Sequence, residues 1–335
     1  MSDQVAASLN EGLPFEQLGH FQVVTRIACG GMGEVYLGYE TALDRWVAIK
    51  VLNRQLADVP EYVRLFRAEA TAAAKLIHPH VVQVHFIGQD AGHHFFAMEY
   101  VDGVSLARLL ARRRLSVGEA LCVAEQALAG LGAAHALGMV HRDVKPGNII
   151  LDQVQKRVLL ADFGLAKSGD DAEIPVATDV IVGTANYVSP EQGDGQPADA
   201  RSDLYSFGVV LYEMLAGQLP LKGSTSSMTM TKHVYEKPPR LAKVASHVPK
   251  TLGAVVDKLL AKHPDERFQT VDQVLAAVHS VREPRSWPAL QTSPESLSTG
   301  TDMETRKSTS RQTSVVAAAL GLGARLGLAG RDHHR

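Results

Sequence analysis

The sequence predicts an α+β protein of two lobes, a small β-rich N-terminal lobe with one main helix and a larger, mostly helical C-terminal lobe. Three strand-like runs lie between residues 21 and 52; the first and third show the side-chain period of two, and the second is a short apolar run. Apolar residues recur at helical spacing between residues 58 and 77. After Gly103 the apolar stretches are longer and helical, so this residue marks the start of the second lobe.

The composition is that of a globular protein with no electrostatic preference for nucleic acid. Of 335 residues, 34 are Lys or Arg and 36 are Asp or Glu, which gives a net charge of −2, so a nucleic-acid partner is not expected. The two cysteines are too few for a disulfide framework. The first ten residues lack the basic and apolar regions of a secretion signal, and we expect a cytoplasmic protein.

Strand patterns account for most of the N-terminal lobe. The first predicted strand starts at Phe21, the second covers 35–37 and the third covers 46–52. In the third strand the period of two places Lys50 and Ile49 on opposite faces of the sheet.

The main helix of this lobe is predicted from its start and stop signals. Asp58 has Glu61 three residues later, as in a capping box, and Pro79 marks the end. Two further strands are predicted over 81–87 and 95–100.

Helical patterns dominate the C-terminal lobe. Ser116 and Glu119 form a second capping-box pair, and Gly138 ends the helix that follows them. The apolar stretches 204–216 and 252–260 also predict helices.

The composition changes again after Glu283. Twelve of the 24 residues from 291 to 314 are Ser or Thr, and such a segment buries too little apolar surface to offset its ordering entropy. The predicted organisation is a lead-in over 1–20, a folded domain over 21–282 (lobes 21–97 and 104–282, hinge 98–103), a disordered linker over 283–314 and an apolar tail over 315–335.

The apolar part of the tail, residues 315–330, is short for a membrane span. At 1.5 Å per residue a helix of this length covers about 24 Å, less than the roughly 30 Å of a hydrocarbon core, and Arg325 interrupts it. We expect a weakly structured or interfacial tail. The alternative is a single-pass anchor, for which Arg306, Lys307 and Arg311 would form the cytoplasmic flank.

The first of four chemical motifs is a glycine cluster between two strands, residues 28–35. Glycines in such a hairpin let backbone N–H groups approach phosphates. An ordinary glycine-rich turn would have the same pattern. No Gly-Lys pair occurs in the chain, which excludes a Walker-type phosphate loop.

The second motif is Lys50 at the end of the third strand. By itself a lysine at this position is expected to reach solvent. Glu69 on the main helix is placed to pair with it and hold it against phosphate oxygens.

The third and fourth motifs place charged and amide side chains near one another in the chain. In the run 141–148, Asp143 can accept a hydroxyl proton, Lys145 can neutralise a moving phosphoryl group and Asn148 can offer an oxygen to a metal. Asp162 follows an apolar strand and precedes Phe163 and Gly164, an arrangement that suits Mg²⁺ shared with substrate phosphates.

In this order the four motifs resemble the signature set of the eukaryotic-type protein kinase family, over roughly residues 21–282. Ser189-Pro190-Glu191 and Arg267 are further landmarks, and the glycine loop and hinge are similar to those of the bacterial serine/threonine branch. The resemblance implies the bilobal protein-kinase fold.

The resemblance also implies roles for individual residues. Asp143 is the catalytic base, Lys145 contacts the γ-phosphate, Lys50 holds the α- and β-phosphates and pairs with Glu69, and Asn148 and Asp162 hold the metal. Arg142, Glu191 and Arg267 are structural. The residues implied to bind ATP are Ile27, Ala28, Cys29, Gly30, Gly31, Met32, Gly33, Glu34, Val35, Ala48, Lys50, Met98, Glu99, Val101 and Ile150.

Three positions in the motifs need separate comment. Ala28 replaces the first glycine of the family's loop, which puts the nucleotide affinity in doubt. Cys29 is either an oxidisable thiol that would block ATP or a passive small residue, and we expect the latter. Thr178 lies where the bacterial branch is often autophosphorylated, so phosphate there would face Arg142 and order the activation segment, 162–191.

The function predicted is therefore that of a serine/threonine protein kinase, which transfers the γ-phosphoryl group of ATP to Ser and Thr hydroxyls of proteins. It would use Mg²⁺, with Mn²⁺ as the alternative, and would form a homodimer if autophosphorylation occurs between copies. The competing interpretation is a pseudokinase that binds nucleotide without transfer, and such proteins usually lose residues of the Lys50, Asp143 or Asp162 type.

Overall fold

The N-terminal lobe is built on one antiparallel sheet. The computed structural model describes residues 13–163 and 185–289. The six strands of the sheet lie in the order β1-β2-β3-β4-β6-β5, so the loop between β2 and β3 and the strand β4 are neighbours. These strands are β1 (Gln17–Leu18), β2 (Phe21–Gly30), β3 (Gly33–Glu40), β4 (Arg45–Leu52), β5 (Val84–Asp90) and β6 (His93–Glu99).

The two faces of this sheet bury different apolar clusters. On one face Val47 and Ile49 of β4 pack with Phe21 and Phe95. On the other face the four-turn helix α2 (Pro60–Lys75), which follows the short helix α1 (Arg54–Ala57), packs against Phe96. The alternation predicted for the third strand therefore directs Lys50 towards α2.

The start of α2 differs from the prediction. Its N-cap is Val59, which makes no side-chain capping bond, and Pro60 occupies the first turn. Asp58 is instead the C-cap of α1, whose own N-cap is Asn53. The capping box predicted for Asp58 and Glu61 is wrong, because a separate short helix ends at Asp58.

The segment after α2 links the N-terminal lobe to strand β9 (Arg157–Leu160) of the C-terminal lobe. The Val82 N–H donates to Leu160 O at 2.9 Å, and the Leu160 N–H donates to His80 O at 2.9 Å. These bonds use the backbone of 80–82, so β5 starts at Val84, three residues after the predicted position.

The C-terminal lobe is mostly helical, as predicted, with a small sheet beside the hinge. Ser116 and Glu119 form the predicted capping box, and after Leu137 Gly138 adopts a φ of +71°, which favours glycine. The strands are β7 (Gly103–Ser105), β8 (Ile149–Asp152) and β9 (Arg157–Leu160), and the helices are α3 (Leu106–Leu110), α4 (Val117–Ala136), α5 (Pro190–Gly193), α6 (Ala200–Ala216), α7 (Ser226–Tyr235), α8 (Leu241–Val244), α9 (Lys250–Leu259) and α10 (Val271–His279).

Two short segments outside the predicted domain are in contact with it. Phe15, in the predicted lead-in, packs its ring edge against Tyr36 at 5.1 Å between centroids. At the other end Arg285 donates to Glu125 of α4 at 2.8 Å, and the Trp287 indole N–H donates to Gln153 at 3.1 Å. All three contacts join residues distant in sequence, so composition alone could not place them.

Residues 283–289 therefore form a C-terminal strap on the second lobe, although their composition predicted a linker. Ser286 N–H donates to Gly118 O at 3.3 Å, and a Cβ added at Gly118 would lie 2.2 Å from Pro284 O, so only glycine permits this approach. The rest of the predicted linker and the tail lie outside the described residues. Within 13–163 and 185–289, no helix has the length and apolar content needed to cross a bilayer.

We expect removal of the C-terminal strap to destabilise the second lobe. A chain ending at residue 282 loses the Trp287 packing and the Arg285–Glu125 pair, and a loss of about 2 kcal/mol would lower the melting temperature by about 4–8 °C. The control is a chain ending at residue 289, which should have the same melting temperature as the full chain. Equal melting temperatures for the two truncations would contradict the assignment of 283–289 to the folded domain.

Candidate active site

A buried ion-pair cluster joins the two lobes at the centre of the site. Lys50 Nζ on β4 donates to Glu69 Oε1 on α2 at 3.0 Å and to Asp162 Oδ1 after β9 at 3.0 Å. Lys50 and Glu69 are buried, whereas the Asp162 side chain is 40% exposed and faces the cleft. The pair predicted from sequence is formed, and Asp162 joins it from the other lobe.

The charged groups of this cluster shift one another's pKa values. Burial disfavours the charged Lys50 amine, but the carboxylates of Asp162 and Glu69 outweigh it and raise its pKa. The Lys50 charge lowers the pKa of Asp162 against the opposing effect of burial. Burial raises the pKa of Glu69, and Lys50 opposes that rise. Lys50 is therefore a fixed, buried cation between the two lobes.

The segment 141–148 gathers its polar side chains around Asp143. Lys145 Nζ donates to Asp143 Oδ2 at 2.7 Å. The Asn148 side-chain N–H donates to Asp143 O at 2.9 Å and to Asp143 Oδ2 at 3.1 Å. These contacts orient the Asp143 carboxylate and keep a cation beside it, as a proton acceptor next to a moving phosphoryl group requires.

This catalytic segment is attached to the helical core through Asp203. The carboxylate of Asp203, at the first turn of α6, accepts backbone N–H bonds from His141 at 2.7 Å and Arg142 at 2.8 Å. His135 Nε2 lies 2.8 Å from the same carboxylate. Arg142 has a φ of +63°, a strained backbone that these bonds hold in place.

Asp203 and His135 are site residues that sequence reasoning did not assign. Asp203 lies in the first turn of α6, whose N-cap is Asp199. No local signal marked Asp203, because it follows Arg201 and Ser202 at the polar start of the helix. In the structure it is nevertheless only 1% exposed. A buried carboxylate must find donors, and here they are backbone N–H groups about 60 residues earlier.

The two predicted metal ligands flank one hairpin. Asn148 immediately precedes β8, and Asp162 follows β9, so the register of these paired strands sets their separation. The Asn148 side-chain nitrogen donates to Asp143 O and, at 3.5 Å, to Asp162 O. The side-chain oxygen of Asn148 is therefore left to bind a ligand. One amide oxygen and one carboxylate form the hard oxygen donor set that suits Mg²⁺ completed by substrate phosphates. The residues present therefore fit the metal that the family uses.

The glycine cluster forms a hairpin, as predicted. Cys29 pairs with Glu34 and Gly30 with Gly33 across β2 and β3, so residues 31 and 32 form the tip. A Cβ on Gly33 would lie 2.0 Å from Val51 O of β4, so this glycine is required for close packing of the loop on the neighbouring strand. Cys29 is exposed.

One carboxylate of this hairpin is held by two neighbours. Arg26 NH1 donates to Glu34 Oε1 at 2.6 Å, and the Tyr36 hydroxyl donates to the other oxygen of Glu34. The Tyr36 bond, with a smaller contribution from Arg26, outweighs burial and lowers the pKa of Glu34.

An apolar cluster lies beside the hinge, where the adenine ring is expected. Met98, Val101 and Ile150, three of the predicted contacts, pack around a buried cluster. Ala48 of β4 pairs directly with Met98 of β6 and is itself buried. Ile27, Ala28 and Val35 lie in the strands of the glycine hairpin. The buried cluster consists of Val82, Leu159 and Ala161, which sequence reasoning did not assign.

Of the three predicted structural residues, Arg142 lies within the segment 141–148, and Glu191 and Arg267 pair with each other outside it. Arg267 donates two bonds of 2.8 Å to the two oxygens of Glu191, and both side chains are buried. These bonds outweigh burial and lower the pKa of Glu191. Arg142 O accepts a bond from Gln192 of α5 at 3.1 Å, which connects this brace to the catalytic segment. Thr178 lies outside the described residues.

The comparisons with known proteins agree with this geometry. The family described as protein kinase domain matches residues 21–279. The chain belongs to the protein kinase family. The resemblance and the bilobal fold predicted from the sequence are therefore confirmed, because the site and the architecture are those of a domain that covers most of the chain.

Individual relatives of this kinase are bacterial. It is 38% identical over 276 residues to the serine/threonine-protein kinase PknA of Mycobacterium tuberculosis, covering 81% of this chain and 63% of the relative. It is 35% identical over 261 residues to the serine/threonine-protein kinase PrkC of Bacillus subtilis, covering 78% of this chain and 40% of the relative. The chain thus spans less than two thirds of the length of either.

A solved structure supports the same assignment. The kinase domain of Mycobacterium tuberculosis PknI superposes with a TM-score of 0.63 at 31% identity. The match covers 78% of this chain and 96% of that domain. The similarity therefore concerns the whole kinase domain and not one lobe.

Proposed function

We propose that this kinase is a serine/threonine protein kinase that transfers the γ-phosphoryl group of ATP to Ser and Thr hydroxyls of proteins. The observation that carries the proposal is the contact of Lys50 with both Glu69 and Asp162 at 3.0 Å, across the two lobes. This arrangement positions a fixed cation for phosphate oxygens beside a carboxylate suited to a metal. The residues whose loss would indicate a pseudokinase are present.

The transfer step follows from the groups around Asp143. The substrate hydroxyl gives its proton to Asp143 while its oxygen forms a bond to the γ-phosphorus, and the bond from that phosphorus to the β–γ bridging oxygen breaks to release ADP. Lys145, 2.7 Å from the Asp143 carboxylate, stabilises charge on the moving group. Asn148 and Asp162 would hold Mg²⁺, which supplies neutralisation of phosphate charge, and Mn²⁺ has the same preference for oxygen ligands.

The hydroxyl class is proposed from the catalytic segment and from the relatives. Lys145 two residues after Asp143, and Gly183-Thr184 before Ser189, follow the serine/threonine pattern. The bacterial relatives PrkC and PknA are named serine/threonine-protein kinases.

Regulation and location are proposed on sequence grounds. Thr178 is the expected autophosphorylation site, with a second copy of the chain as the partner that phosphorylates it. The expected location is the cytoplasm, with single-pass anchoring through 315–330 as the alternative, which membrane fractionation of cells producing the full chain would decide.

Phosphorylation mapping tests the function directly. The full chain is first treated with a phosphatase, which is then removed, and incubated with ATP and Mg²⁺. Mass spectrometry should find new phosphate on Ser and Thr, including Thr178, and on a Ser/Thr substrate protein such as myelin basic protein. An Asp143→Asn preparation is the control. Absence of new phosphate on either protein would contradict the proposed function, and phosphate elsewhere but not on Thr178 would contradict only that site.

A further inference from the structure

An ion pair connects the hinge to the β8–β9 hairpin of the C-terminal lobe. Arg157, the first residue of β9, donates through one guanidinium N–H to Glu99 Oε1, at the end of β6. Its Nε donates to Asp152 Oδ2 at 3.2 Å. The side chains of Arg157 and Glu99 are 22% and 24% exposed, so the pair is partly shielded from water.

Contacts within the C-terminal lobe fix the position of Arg157. Asp152 is buried, and its other oxygen, Oδ1, accepts the backbone N–H groups of Val154 at 3.0 Å and Gln155 at 2.9 Å. The turn from β8 to β9 is therefore built around the Asp152 carboxylate. Trp287 of the C-terminal strap holds the same turn through Gln153. Arg157 thus extends from a turn whose position is set by the C-terminal lobe.

The hinge side of the contact is the residue whose backbone is expected to bind the adenine edge. Glu99 N–H already donates to Gln83 O at 2.8 Å, and Glu99 pairs with Val47 of β4. Its side chain is directed to Arg157. Glu99 is thus the residue at which a side-chain contact from the C-terminal lobe reaches the hinge, two residues before Val101.

We propose that Arg157 is a positioning residue for nucleotide binding, because it holds the hinge at Glu99 in the place that the adenine edge requires. The inference rests on the proposed function for its substrate, ATP. If Arg157 no longer holds Glu99, the hinge binds the nucleotide less tightly in both the ground state and the transition state. This raises KM for ATP without lowering kcat.

The test compares Arg157→Ala and Arg157→Lys with the wild-type full chain. For Arg157→Ala we expect KM for ATP and the dissociation constant of ADP with Mg²⁺, measured by titration calorimetry, to rise about three- to tenfold, with kcat changed by less than about twofold. Arg157→Lys keeps the charge and should recover part of the affinity. KM for the protein substrate should not change.

Two further variants separate positioning from a general loss of stability. Glu99→Gln should raise KM for ATP as Arg157→Ala does, and the double variant should be no weaker than either single one. Arg201→Ala is the matched control, because among the described residues its guanidinium contacts only Asp199, Asp265 and Gln269, all in the C-terminal lobe. It should leave KM for ATP unchanged.

Several results would overturn the inference. One is that Arg157→Ala has the same KM for ATP and the same ADP dissociation constant as the wild type. Another is that Arg201→Ala shifts these two constants as much as Arg157→Ala does. A third is that the effects of Arg157→Ala and Glu99→Gln on KM for ATP are fully additive in the double variant. If Arg157→Ala does not fold, Glu99→Gln decides the point alone. A wild-type chain that binds ADP but transfers no phosphate would contradict the proposed function while the dissociation constants still test Arg157. A wild-type chain that binds no nucleotide would contradict both.

Discussion

Asp143→Asn should leave the fold intact and lower kcat for phosphoryl transfer by about 10²- to 10⁴-fold, the usual contribution of a general base. The amide is nearly isosteric but is not a base, and it loses the charge that Lys145 contacts at 2.7 Å. It also presents an N–H group where Asn148 now donates, which disturbs both neighbours. Steady-state kinetics with a Ser/Thr substrate protein, together with thermal unfolding, measure the two effects separately.

Asp265→Asn is the matched control for this change. Its carboxylate is 91% exposed and contacts Arg201 only at the surface. It should keep the wild-type kcat. An unchanged kcat in Asp143→Asn would falsify the assignment of Asp143 as the base.

Lys50→Met should lower kcat by about 10²- to 10³-fold, as does removal of one pre-positioned donor in other enzymes. Methionine fills a similar volume but leaves Glu69 and Asp162 without the cation that both contact at 3.0 Å. Phosphate oxygens then lose their donor from β4. Single-turnover rates at saturating ATP measure this loss, and rates at the wild-type level would contradict the role of Lys50. Lys75→Met, at the exposed end of α2, is the control.

The same variant should show a pH-dependent loss of stability. Burial raises the pKa of Glu69, and without Lys50 nothing in the pair opposes that rise. The folded state of the variant then favours the neutral carboxyl, so the penalty is absent below the ordinary pKa of glutamate and increases as the pH rises through the raised pKa. The difference in melting temperature between Lys50→Met and the wild type should therefore shrink as the pH falls from 7 to 5. A constant difference would mean that Glu69 does not carry the penalty.

The sequence was sufficient to predict contacts between residues that are close in the chain, or whose side-chain direction is fixed by the period of a strand or helix. Asp143, Lys145 and Asn148 lie within six residues, and the structure brings their side chains into contact as their spacing suggests. Lys50 and Glu69 were paired correctly, because strand alternation and helical spacing both fix which way a side chain points. Their catalytic roles remain predictions for the variants to test.

The sequence was insufficient where partners are far apart in the chain or where two local signals compete. Asp203 is 62 residues from His141, and no local pattern links them. The strap residue Trp287 contacts Gln153 across 134 residues, in a proline-containing segment that reads as a linker by composition. Asp58 carries a valid N-cap signal, but the preceding helix uses it as its C-cap.

The hydrogen bonds between residues 80–82 and β9 hold the C-terminal end of α2, so a tilt of this helix moves its N-terminal end the most. His80 and Val82 are hydrogen-bonded to Leu160, so the end of α2 near Leu76 moves with the C-terminal lobe. At 1.5 Å per residue, Glu69 lies about 10 Å from Leu76 and Pro60 about 24 Å from it, so a 2 Å swing at Pro60 moves Glu69 by about 0.9 Å. That displacement, if directed away from Lys50, lengthens a 3.0 Å contact beyond hydrogen-bond range. A ligand or a second protein that displaced the distal turn of α2 in this way would therefore break the Lys50–Glu69 contact without entering the cleft.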